Sequence, residues 1–137
     1  SKRLGGGVCI GGKVVEIADY DPLIREGFST RTLKHLVSDG HVTEAEIFEH
    51  VIPKRTLSHR LANNQRLSPS ESEKALRLAR ITALAEETFS KVEKAGVWLR
   101  RETTALDGRK PMDMLDTEVG GRVVENLLNR IAHGFTA

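Results

Sequence analysis

From Asp19 onward, apolar positions recur at helical spacing, and the breaks between runs carry helix-start and helix-stop chemistry. Asp21-Pro22 opens a short helix holding Leu23 and Ile24, which Gly27 ends. Ser29 caps a helix to about Asp39, with Leu33, Leu36 and Val37 on one face and Gly40 at its stop. Thr43 and Glu46 form a capping box for the next helix, which turns Ile47, Phe48 and Val51 inward. Pro53 suits the first turn of a further helix. Leu57 and Leu61 are the inner pair of that helix, and Asn63-Asn64 breaks it.

Ser68, with Pro69 at the first helical position and Glu71 two residues later, makes a strong helix start. The helix it opens runs to about Phe89, with Leu76, Ala79, the segment from Ile81 to Leu84, and Thr88 as its stripe. Ser90 starts another helix through Val97, Trp98 and Leu99. Asp107-Gly108 turns the loop from Thr103 to Arg109, and Pro111 opens a short helix with Met112, Met114 and Leu115. Asp116-Thr117 caps the last helix, Glu118 to about His133, which Gly134 ends. Its stripe is Val119, Val123, Leu127 and Ile131, with Val124 and Leu128 beside it. Nothing here alternates as a strand does, so the expected fold is all-α.

The first eighteen residues, with GGGVCIGG, fit neither period and read as a flexible glycine-rich arm, with a short extended piece at Lys13 to Ile17. They do not form a phosphate loop, because the segment ending in Gly12-Lys13 lacks the glycine spacing and the hydroxyl after the lysine. The arm (1–18), a helix-turn-helix region (19–68) and a C-terminal domain (69–137) are the expected divisions.

Composition narrows the classes. The chain has 137 residues, 39% hydrophobic and only 4% aromatic, which supports modest aliphatic cores. A lone cysteine, Cys9, excludes an intrachain disulfide and suits a reducing compartment. No apolar run approaches the roughly 20 residues of a membrane helix, and no secretory signal is legible. The expectation is a cytoplasmic protein without membrane contact.

Tests for catalysis fail. The five histidines are scattered, Cys9 has no partner cysteine or base, and Glu86-Glu87 are adjacent on a helix and so face apart. No metal, no cofactor and no enzymatic activity are expected.

Charge is more informative by position than in total. The net charge is only +2, but Lys54, Arg55, Arg60 and Arg66 fall between Glu49 and Glu71 with no acidic residue among them. Carboxylates would repel phosphates, so their absence across a helix-turn-helix candidate favours DNA. The scaffold helix would be Thr43 to His50, the turn Val51-Ile52, and the recognition helix Pro53 to Ala62. Lys54, Arg55, Thr56, Ser58, His59, Arg60 and Arg66 are the candidate DNA-binding residues, since arginine grips guanine or phosphate and hydroxyls read base edges. The bland alternative is a solvated basic face. A single copy would bind weakly, so a homodimer on a two-fold operator is expected.

The C-terminal blocks Leu78-Ala79-Arg80-Ile81, Trp98-Leu99, Gly108, Pro111, Leu115, Gly120 and Gly134 occur in the order and spacing of a known family. With REGFSTRTLKHL, IPKRTLSHRL and RLSPSESEKALRLA upstream, the chain from Asp19 to Ala137 resembles the Xre/MbcA/ParS-type antitoxins. The resemblance implies a partner, a RES-domain toxin that destroys NAD, and an antitoxin that blocks the toxin and represses its own operon.

Under that resemblance the exposed part of the last helix becomes the candidate toxin-binding surface: Arg122, Glu125, Asn126, Asn129, Arg130, His133, Gly134 and Phe135. An arginine fork could anchor in a site that receives a dinucleotide. A phosphate site is itself cationic, however, so an acidic residue or the terminal carboxylate could serve instead. The alternatives are a dimeric helix-turn-helix regulator without a toxin partner, and a partition or adaptor protein.

Overall fold

Capping chemistry sets most helix ends in the computed structural model, which describes residues 8–10, 13–15 and 27–134. The chain divides after Ala79 into two units. In the first, α1 (Arg31–Ser38) begins one residue later than Ser29 alone predicts, with Thr30 at the cap and the Ser29 hydroxyl accepting from the Arg31 N–H at 3.2 Å. The α2 helix (Glu44–His50) has the expected capping box: Thr43 Oγ1 accepts from Glu46 N–H, and Glu46 Oε1 accepts from Thr43 N–H. Val51 and Ile52 are buried and both donate to the Ile47 carbonyl, which makes the tight turn into α3 (Lys54–Ala62). Pro53 is extended at the cap of α3, one residue earlier than its expected place.

One inner-face expectation fails on α3. Leu57 is only half-buried and Leu61 is 56% exposed, so the pair does not close a core. The core of this unit comes instead from Phe28, Leu33, Leu36, Val42, Ile47, Val51, Ile52 and Leu67.

The long helix α4 (Pro69–Phe89) starts with a second reciprocal box: Glu71 Oε1 accepts from Ser68 N–H at 2.7 Å, and Ser68 Oγ accepts from Glu71 N–H at 3.1 Å. Its first turns are tied to the first unit. Phe28 N–H donates to the buried Ser72 hydroxyl at 2.8 Å, and Leu67 N–H donates to the Phe28 carbonyl. Gly27 makes this possible, since its φ is +89° and a Cβ there would collide with the Leu67 carbonyl. These ties carry the unit boundary past the expected residue 68, to the middle of α4.

The arm and the Leu23-Ile24 helix lie mostly outside the described residues, with one exception. Val8–Ile10 (β1) pairs antiparallel with Lys13–Val15 (β2), matching Val8 to Val15 and Ile10 to Lys13, and β1 lies beside α1. Lys13–Val15, within the extended piece expected at Lys13 to Ile17, is thus one strand of a hairpin. The signal was two short apolar runs separated by Gly-Gly, a favoured hairpin spacing.

The second unit holds the rest of α4, then α5 (Val92–Leu99) and α6 (Glu118–Ala132). Ser90 does not cap α5 as expected: it takes a left-handed φ of 62° after α4, and Lys91 is the cap. Phe89 and Trp98 meet at 5.6 Å between ring centroids, tilted by 44°. A Thr103–Arg109 bridge closes the loop around left-handed Asp107 and Gly108, as the Asp-Gly pair predicts. A 3-10 segment, Pro111–Asp116, then packs along α6.

Thr117 starts α6 by accepting from the Gly120 N–H at 2.9 Å. The buried face of α6 is Gly120, Gly121, Val124, Leu127 and Leu128. Each of the last three contributes about 1.5–3 kcal/mol by leaving water. The predicted stripe was rotated: Val119 is 72% exposed and Val123 39%. Two consecutive glycines shift the core contact toward them, which a count of large apolar residues does not see. Among the described residues, no helix is long and apolar enough to cross a membrane.

Candidate functional site

The candidate residues fall on two surfaces, one on each unit. On α3, Lys54, Arg55, Ser58 and His59 are exposed. At 100° per residue they share one side of the helix, while Thr56 and Arg60 fall on the other and are half-buried. The face therefore presents two fixed cations, a hydroxyl and an imidazole, the donor set that suits phosphates and base edges. Asn63 closes the helix end by donating to the His59 carbonyl at 2.8 Å.

Arg60 has a different task. Its Nε and Nη2 donate to the two carboxylate oxygens of Glu71 at 2.8 and 3.0 Å, and its Nη1 reaches Gln65. This fork links α3 to the start of α4, so the guanidinium is committed within the unit and its place in the DNA-facing set is withdrawn. Arg66 is exposed, but it also donates to the Gly27 carbonyl at 3.1 Å.

Hydrogen bonding to Glu71 raises the Arg60 pKa above its ordinary value. Burial pushes the Glu71 carboxyl up, but the bonds from Arg60 and Ser68 outweigh it, and the carboxyl titrates below its usual 4.5. A lowered acid pKa contributes stability that is complete above the unfolded value and is lost as pH falls through the lower folded value. The first unit should therefore lose stability as pH drops below about 4.5, and Glu71→Gln should flatten that acid limb in urea melts monitored by circular dichroism. Equal acid limbs in the two proteins would remove Glu71 as its source.

On the second unit, Arg122, Asn126, Asn129, Arg130, His133 and Gly134 are exposed. Glu125 is half-buried and accepts from Arg80 of α4 at 2.7 Å, so it fastens α6 to its neighbour instead of presenting a free carboxylate. Arg122 lies 3.5 Å from Glu118 in a solvent-exposed pair, a geometry worth little. His133 Nδ1 meets the Asn129 carbonyl at 2.7 Å, and Phe135 lies outside the described residues.

Sequence reasoning missed Val119 and Val123. Helical spacing puts both with Arg122, Asn126 and Arg130 on one outward face of α6. The outward face is thus apolar as well as cationic, which fits a protein partner better than solvent. The signal was available: a helix with two adjacent glycines on its packed side must turn some branched residues outward.

Residues 19–80 match the antitoxin Xre-like helix-turn-helix domain, and residues 84–134 match the antitoxin Xre/MbcA/ParS C-terminal toxin-binding domain. The chain is 38% identical to an antitoxin Xre of Pseudomonas putida over 112 residues, covering 82% of this chain and 70% of that protein. It is 32% identical to a Prs ADP-ribosylating antitoxin of a Sphingobium species, covering 84% and 79% of the two chains. An antitoxin Xre of Yersinia enterocolitica is 32% identical, covering 81% and 76%.

Proposed function

Because the chain belongs to the Xre family of antitoxins, we propose that it neutralises a RES-domain, NAD-degrading toxin by covering the entrance to the toxin's active site, and that it represses its own operon as a homodimer. It acts in the cytoplasm and by binding, not by catalysis. The observation that carries this reading is the outward face of α6, where Val119, Val123, Arg122, Asn126 and Arg130 stand together within the matched toxin-binding segment. Arg130 and His133, beyond Asn129, are exposed on α6 and at its end. On α3, Lys54, Arg55, Ser58 and His59 supply the operator contact.

A chain ending at Asn129 tests the toxin half. Co-expressed with the toxin, it should fail to restore growth or cellular NAD, while operator binding stays within about twofold of the full chain. Full rescue by the shortened chain would overturn the occlusion reading.

The Sphingobium relative supports a second reading of the partner. Its name concerns ADP-ribosylation, a transfer that consumes NAD as the RES reaction does. An ADP-ribosyl transferase leaves ADP-ribose attached to a protein target, visible by mass spectrometry, whereas NAD hydrolysis leaves none.

A further inference from the structure

The proposed homodimer leaves open which surface joins the two copies, and the first unit contains a groove with the needed properties. It has a volume of about 470 Å³ and is bounded by α1, α2 and α3. Its floor is apolar, formed by Leu33, Val37, Phe48, Leu57 and Leu61. Leu61 is the surprising member, since a leucine 56% exposed on a short helix gains little from its own unit.

The rim has a charge pattern that points to one occupant. Arg31 and Lys34 stand on the α1 side, and Glu44 stands on the α2 side. All three are exposed, and none has an ion-pair partner among the described residues. A two-fold axis through the groove would bring the α1 cations of one copy to Glu44 of the other, twice over. An isologous interface must be self-complementary in this way. An acidic or basic foreign partner would satisfy only one side of the rim.

We infer that this groove is the dimer interface, with Leu61 of each copy seated among the apolar side chains of the other. The inference rests on the homodimer reading above. It leaves most of that reading's DNA face open, because Arg55, Ser58 and His59 lie about 60–160° around α3 from Leu61, while Lys54, about 20° from Leu61, borders the groove.

Sedimentation equilibrium on the full chain tests it. Leu61→Glu should weaken self-association at least tenfold with unchanged circular dichroism, because the side chain is mostly in solvent. Glu44→Lys should weaken it as well, and mixing Glu44→Lys with the Arg31→Glu/Lys34→Glu variant should restore a mixed dimer. A dimeric wild type whose Leu61→Glu variant associates equally well overturns this surface alone. A wild type monomeric throughout overturns the homodimer reading itself. A monomeric chain whose groove binds a peptide of residues 1–26 instead assigns the groove to the chain's own N-terminal segment, which also overturns the inference.

Discussion

Gly120→Ala is expected to unfold the second unit at temperatures where the rest of the chain is intact. Gly120 sits in the first turn of α6, buried against the Pro111–Asp116 segment. A Cβ there would press into the backbone carbonyl of Met114, well inside van der Waals contact. A flexible side chain could swing aside, but a carbonyl in a packed 3-10 turn cannot. The Thr117 hydroxyl would also be crowded at 3.1 Å, and it caps this same turn. Overpacking of a core costs about 1–3 kcal/mol, and a lost cap adds about 1 kcal/mol. Together about 3 kcal/mol should lower the melting temperature of this small unit by roughly 12–24 °C. The variant should lose toxin neutralisation at 37 °C and keep operator binding. A melting temperature within about 3 °C of the wild type would show that the turn relaxes more easily than its geometry implies.

The same glycine shows what a sequence yields and what it withholds. Helix starts were legible at Thr43 and Ser68, because capping is local: a hydroxyl and a carboxylate three residues apart satisfy each other's backbone groups. The Asp107-Gly108 turn was legible for the same reason. The face on which α6 packs was not, because it depends on how closely the Met114 carbonyl approaches, and that is a tertiary fact. Branched residues predicted inward at 119 and 123 point out, while two glycines point in. The role of Arg60 was hidden similarly. Composition reads it as one more cation in a basic stretch. Only the fold brings Glu71 to it, across eleven residues of sequence. The candidate DNA surface shrinks and sharpens as a result, to the side of α3 that carries Lys54, Arg55, Ser58 and His59.

That division of labour on α3 has a measurable consequence. Lys54→Ala/Arg55→Ala should weaken operator binding by about 2–6 kcal/mol if each residue makes one good contact of the kind that groove-facing cations make. If both neutralise phosphates, the slope of log affinity against log salt should fall by roughly 1.8, twice the value for one phosphate. Arg60→Ala should behave differently. Its guanidinium is held by Glu71, so removing it should leave the salt slope unchanged and reduce affinity only as far as α3 loosens from α4. It should also lower the melting temperature of the first unit, which the double variant should not, since Lys54 and Arg55 are exposed and bonded to nothing among the described residues. Arg60→Lys keeps the charge but loses the two-point fork, so a positioning role predicts incomplete rescue of stability. The salt slope is the deciding readout, because a loss of affinity alone cannot separate a contact from its support. A slope that falls by about 0.9 in Arg60→Ala, with the melting temperature unmoved, would return Arg60 to the DNA face and make the fork with Glu71 a resting arrangement that the operator breaks.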